Sequence, residues 1–115
     1  MKKSKKRKIE PVSKHKVMRE LYRNYMQFRE YVRSTGETVI EHQNVAISFY
    51  DLGMGLNELS PRKKQAFYLN VILDKKQKDV AEIMGITTVS VGQYVEAASK
   101  QLADIYFGES DEWRS

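Results

Sequence analysis

The chain has 115 residues, 41% of them apolar and 30% charged, enough for one small core and too few for two ordinary domains. It has no cysteine, which excludes disulfides and thiolate metal sites, and no run approaches the roughly 20 apolar residues of a membrane span, so a cytoplasmic protein is expected. The net charge of +5 is divided unevenly: residues 1–35 hold twelve Lys or Arg against three Glu, a balance of +9, and residues 36–115 hold eight against twelve acidic residues, a balance of −4.

Residues 1–12 are a basic arm in which Lys2, Lys3, Lys5, Lys6, Arg7 and Lys8 stand too close together to fold against one another, so disorder is expected. MKKSKKRK has the charge of a signal-peptide leader, but IEPVSKHKVMREL follows where a continuous apolar stretch is required. The arm reads either as a solubilising terminus or as a source of non-specific phosphate contacts.

Residues 13–52 form an N-terminal helical region. Ser13 is placed to cap a helix running to about Arg33, with Val17, Leu21, Tyr25, Phe28 and Val32 at steps of four, four, three and four. That stripe serves either to pack on the C-terminal half or to assemble a homo-oligomer, and Thr35-Gly36 ends it. The segment from Glu37 to Glu58 is ambiguous. Val39, Ile40, Val45, Ile47 and Phe49 suit a strand, but no partner strand is evident, so a helix from about Asn44 to Leu52 is expected. Gly53 and Gly55 then read as a hinge or a turn.

Residues 53–107 carry the densest signals. Ser60-Pro61 is a helix start, a capping hydroxyl followed by proline at the first helical position, and the helix is expected to reach about Leu73. Arg62, Lys63 and Lys64 fall in its first turn, an unfavourable place for cations by a few tenths of a kcal/mol each. From Lys76 to Leu102 the chain reads KQKDVAEIMGITTVSVGQYVEAASKQL. Val80, Ala81, Ile83 and Met84 form an apolar stripe, Gly85 can adopt the left-handed conformation that stops a helix, and Thr87 or Thr88 can cap the next. Val91, Val95, Ala98 and Leu102 give that second helix one buried face. Helix, glycine turn and helix at this spacing make a helix-turn-helix, whose second helix commonly enters a DNA major groove. The fold class is therefore all-α: a small helical domain with a C-terminal helix-turn-helix and an N-terminal amphipathic helix.

At LGMGLNELSPRKKQAFYLNVIL, the break DKKQ and DVAEIMGITTVSV, the sequence resembles region 4 of sigma-70-type RNA polymerase sigma factors and the small sigma-like factors of bacteria and phages. The resemblance runs from about Leu52 to Leu102 and rests on the Leu59-Ser60-Pro61-Arg62 step together with the Ala81, Gly85 and Val91 spacing. It implies double-stranded DNA and RNA polymerase, including its flap, as partners in a bacterial cell or phage-infected host. It implies that Thr88, Val89, Ser90, Gly92 and Gln93 face the bases, and that Arg62, Lys63, Lys64, Lys76 and Lys78 meet phosphate. The family usually has Arg or Lys at the start of the recognition helix. Here Gln93 alone offers a bidentate contact, and its expected partner is adenine. Gly92 costs the helix roughly 1 kcal/mol against alanine and either admits a close neighbour or is tolerated. The chain is too short to hold the family's promoter-melting domain, so a second sigma-like subunit is a further expected partner.

Residues 108–115 are an acidic tail, with Gly108 as a helix stop and Glu109, Asp111, Glu112 and Trp113 beyond it. It reads as a frayed terminus or as a segment that folds over the arm or motif. No catalytic constellation is present: His15 and His42 lack metal-ligand spacing, and no phosphate-cradling glycine loop occurs. No enzyme activity, metal or cofactor is expected. The leading function is a DNA-binding transcription regulator acting with RNA polymerase. The alternatives are a small terminase-like DNA-packaging recognition subunit of a phage, and a polymerase- or sigma-binding protein that no longer reads DNA.

Overall fold

The structure, a computed structural model, describes residues 13–42 and 44–108; the basic arm and the acidic tail of residues 109–115 lie outside these. In chain order the elements are α1 (Lys14–Arg23), α2 (Tyr25–Thr35), β1 (Val39–His42), β2 (Val45–Ser48), α3 (Phe49–Asn57), α4 (Pro61–Phe67), a π-helical turn (Tyr68–Ile72), α5 (Gln77–Met84) and α6 (Thr88–Phe107). The fold is mostly helical, as expected, with one short hairpin added.

The continuous amphipathic helix expected from Ser13 to Arg33 is divided at Asn24. This residue leaves the helical region (φ −100°, ψ 15°), and its side-chain amide donates to the Glu20 carbonyl at 2.9 Å. The periodic stripe continues through the break because Tyr25 stacks on Phe49, with ring centroids 4.9 Å apart, which draws α2 over the hairpin. Val17, Met18, Leu21 and Tyr22 of α1 are buried, whereas Tyr25, Phe28 and Val32 of α2 are partly buried. Ser13 does not cap α1 with its side chain; the hydroxyl lies 2.8 Å from His15 Nδ1 instead. Gly36 ends α2 in the left-handed conformation at φ 79°.

The helix expected over Asn44–Leu52 is replaced by the hairpin and by α3, which starts at Phe49. The missing partner strand is the adjacent segment. β1 and β2 pair antiparallel with Ile40 opposite Ile47 and His42 opposite Val45. A two-residue connection requires positive φ, and Asn44 supplies it at 65°. Ile40, Val45 and Ile47 alternate into the core, which a helical register would not achieve. Gly53 and Gly55 are neither hinge nor turn, since both lie inside α3. Gly55 is a packing position: a Cβ there would collide with the Tyr106 hydroxyl of α6. The boundary drawn at residue 53 thus falls within a helix whose two ends share one core.

Pro61 occupies the first turn of α4, but Ser60 makes no side-chain cap and contributes its carbonyl to Lys64 N–H at 2.8 Å. After Phe67 the ladder widens, with Leu73 N–H reaching the Tyr68 carbonyl at 2.9 Å. The extra residue in that turn brings Val71 and Ile72 inward beside Ala66 and Phe67, while Leu73 is left 39% exposed.

The core centres on Tyr22. Its ring meets Phe67 edge-on at 5.2 Å, and its hydroxyl donates to the Leu52 carbonyl at 2.6 Å; burial pushes the phenol far above its ordinary pKa. Tyr22→Phe removes this donor from a fully buried position. The expected loss is about 1–2 kcal/mol in urea unfolding, with unchanged helix content.

Candidate nucleic-acid interface

α5 and α6 form the two helices of the motif. Gly85 stops α5 at φ 69°, ψ 36°, and Ile86 N–H closes onto the Ala81 carbonyl at 3.0 Å while Gly85 N–H reaches Glu82 at 3.3 Å. This paired closure turns the chain sharply and returns Ile86 to the core. Of the two threonines offered as caps, Thr87 is the one used: its hydroxyl accepts from Ser90 N–H at 3.0 Å. Val80 and Ala81 are buried and Met84 is partly buried, but Ile83 is 54% exposed. The expectation that Ile83 belongs to the stripe is corrected: at about 100° per residue it sits roughly 100° from the centre of the 80/81/84 face.

α6 buries Val91, Val95, Ala98, Ser99, Leu102 and Ala103. Its opening turns are the exposed part. Thr88, Val89 and Gln93 are exposed, Val89 by 69%, and Ser90 and Gly92 are intermediate. Gly92 faces inward on the motif: a Cβ there would lie 3.4 Å from the Gln77 side-chain oxygen, ordinary van der Waals contact. Its neighbour is therefore the first turn of α5. The same contact brings Lys76 and Lys78, both exposed, to the level of the α6 opening turns.

Arg62, Lys63 and Lys64 are not part of that group. Lys63 Nζ donates to Gln101 Oε1 at 3.1 Å and Lys64 Nζ to Asn57 Oδ1 at 2.8 Å. Gln101 is eight residues beyond Gln93, about 12 Å farther along α6. Lys63 is thus held beside Gln101 in the second half of α6 and Lys64 at the end of α3, and Arg62 is exposed on the same turn of α4. The arm cations, Lys2, Lys3, Lys5, Lys6, Arg7 and Lys8, lie outside the described residues.

Sequence periodicity gave no sign of the cluster one turn beyond Gln93. Glu96 accepts from Arg19 at 2.8 Å, lies 3.2 Å from His15 Nε2, and is 3.8 Å from Lys100. Arg19 Nε also reaches the Ser99 hydroxyl at 3.2 Å, and that buried hydroxyl donates to the Val95 carbonyl at 2.7 Å. α1 is therefore pinned to α6 by a shared polar network whose contacts between the two helices join residues 77 to 81 apart in the chain.

The family model for sigma-70, region 4 matches residues 51–102. The chain carries a sigma region 4-like helix-turn-helix. The match covers α3, α4, α5 and most of α6 and leaves α1, α2 and the hairpin outside it. No curated protein and no solved structure gives a significant match. Sigma region 4 domains serve a DNA-binding, regulatory role in transcription, with DNA and RNA polymerase as their general partners, and they are not catalytic. Among the described residues there is no His, Asp or Glu cluster suited to a metal ion, and no helix is long and apolar enough to cross a membrane.

Two outcomes test the site. Gly92→Ala places a methyl at ordinary contact distance from Gln77 and removes a glycine from a helix interior, so thermal unfolding should show a gain of about 0.5–1 kcal/mol. His15 has its pKa lowered from 6.5 because burial outweighs the attraction of Glu96, with Arg19, Lys100 and Lys16 lowering it further. The unfolded state then binds the proton more readily, so His15 lowers stability as pH falls through and below 6.5, and leaves it unaffected well above. His15→Gln should flatten that part of the stability–pH curve in urea titrations run across the range.

Proposed function

We propose that this chain is a transcription regulator that acts with RNA polymerase at promoters by setting the opening turns of α6 into the DNA major groove. The observation that carries the reading is the region 4 match ending on a helix whose first two turns bury Val91 and Val95 on one side and leave Thr88, Val89 and Gln93 exposed on the other. Gln93 carries the base selectivity through paired hydrogen bonds to adenine, with Ser90 and Thr88 as adaptable donors and acceptors and Val89 as an apolar contact for a thymine methyl. Gly92 acts from within the motif by letting α5 approach. Lys76 and Lys78 meet phosphate beside this surface. Lys63 and Lys64 contact phosphate only by exchanging their present amide partners, so their share is smaller, and Arg62 adds an exposed cation on the same turn. The basic arm supplies most of the sequence-independent attraction. A second sigma-like subunit provides promoter melting.

One observation favours a different reading, a polymerase- or sigma-binding module without base recognition. Between Thr88 and Ser99 α6 carries no Lys or Arg, and its one charged residue is Glu96. In that case Val89 and Ile83, 69% and 54% exposed, become protein-contact residues.

Crosslinking the protein in its cell and sequencing the recovered DNA separates the two. Under the leading reading, promoters are enriched and Gln93→Ala changes the preferred sequence, with a loss of about 1–3 kcal/mol at the best sites. Diffuse recovery, unchanged by the substitution while polymerase still co-purifies, would select the protein-binding reading. Enrichment at a single locus beside packaging genes would select the terminase-like one.

A further inference from the structure

The hairpin lies outside the region 4 match, and nothing in a helix-turn-helix calls for it. The geometry points to the open edge of β1 as the docking strip for the basic arm of a second copy of this chain.

The ladder defines the edge. His42 pairs with Val45 across the two-residue connection and Ile40 with Ile47, and the alternation continues in Phe49 N–H bonding the Thr38 carbonyl at 2.8 Å. In an antiparallel pair the residues between such positions direct their backbone groups away from the partner strand. Val39 and Glu41 therefore present their N–H and C=O groups outward, at the two-residue interval an added strand uses. Among the described residues the sheet has two strands, and no third strand takes these groups.

Beside this edge runs an open cavity of about 530 Å³, lined by Phe28 and Tyr31 of α2 and by Glu37, Val39, Ile40 and Glu41. Its floor is apolar, with Tyr31 47% and Val39 52% exposed. Its charged groups are both carboxylates. The occupant that fits is an extended segment with one apolar side chain among cations.

Residues 36–61 hold Glu37, Glu41, Asp51 and Glu58 and not one Lys or Arg, which turns nucleic acid away from this face. Residues 1–12 hold six Lys or Arg, one Glu, and Ile9 directly after Arg7-Lys8. Seating Ile9 on the apolar floor needs a second molecule. Four residues separate Ile9 from Ser13, a reach of at most about 14 Å. The ten residues of α1 alone rise about 15 Å between Ser13 and the break at Asn24, and the α2 residues that line the cavity, Phe28 and Tyr31, lie beyond that break. Mutual exchange of arms then closes a two-fold dimer in which each β1 gains a strand. This inference does not depend on what α6 reads.

Sedimentation equilibrium of the full chain, in low and high salt, tests it. The expected result is a monomer–dimer equilibrium that weakens with salt. The exposed-surface change Glu37→Lys/Glu41→Lys should raise the dimer dissociation constant about tenfold or more, and adding Lys6→Glu/Lys8→Glu should bring it back. Deleting residues 1–12 should leave a monomer with unchanged circular dichroism. A native chain that stays monomeric to its solubility limit would overturn the proposal. So would a dimer that survives arm deletion or glutamate reversal, and so would a charge swap that fails to restore association.

Discussion

A helix of twenty residues is longer than its motif partner can cover, and the rest of the structure follows from that mismatch. α5 has eight residues and α6 twenty, about 12 Å against 30 Å, so the two-helix motif leaves more than half of α6 without a neighbour. α4 covers one side of the remainder. α1 covers the other, coming from the far end of the chain. The small side chains at Ala98, Ser99 and Ala103 are buried, two of them fully, and they permit this close packing along a helix already committed at Val91, Val95 and Leu102 to the other helices. The N-terminal helix is thus a structural part of the helix-turn-helix unit and not an appendage to it. Tyr22 expresses the same dependence: one α1 side chain touches Phe67 in α4, bonds the backbone of α3, and lies beside Tyr106 of α6.

Glu96 makes that dependence electrostatic as well as steric. A carboxylate one turn beyond the opening surface of α6 would repel DNA if it stood alone. Here Arg19, His15 and Lys100 surround it, two of them delivered by α1. The partners are only partly buried, so each pair contributes modestly to stability. Their larger effect is to offset the Glu96 charge beside the opening turns of α6. In the proposed reading, attraction for phosphate comes from Lys76, Lys78 and the arm, and selectivity from uncharged side chains.

The motif was legible because its determinants are local. Gly85 needs a left-handed backbone, the 91/95/98/102 spacing needs a helix, and Pro61 marks a start; each acts within a few residues. The misreadings share the opposite property. Ser13 and Ser60 are correct residues in correct backbone conformations for capping, yet one hydroxyl is taken by His15 and the other makes no capping bond. Asn24 breaks a stripe whose period is uninterrupted, because the aromatic stack on Phe49 pulls α2 aside. Gly53 and Gly55 resemble a hinge, but they sit in a helix that must pass Tyr25 and Tyr106 closely. The hairpin was missed because the partner was sought at a distance, when two residues of separation sufficed. Among the candidate contacts, Lys76 and Lys78 gather beside α6 through Gln77 and Gly92, a pairing that no spacing rule exposes. Lys63, grouped with them by sequence logic, is held by Gln101, about 12 Å beyond Gln93 along α6, and Lys64 is held by Asn57 of α3.

The distribution of charge along the chain takes on a spatial meaning in this fold. The start of α1 lies against α6, with His15 beside Glu96 and Lys14 Nζ donating to the Gly108 carbonyl at 2.8 Å. In the proposed dimer the same arm has two competing partners of opposite charge, phosphate and the carboxylates of another copy. A chain whose arms are exchanged between molecules has fewer cations to give to DNA, so self-association and non-specific DNA affinity should oppose each other and share a dependence on salt. That coupling needs no conformational change in the motif. It follows from one set of cations serving both partners.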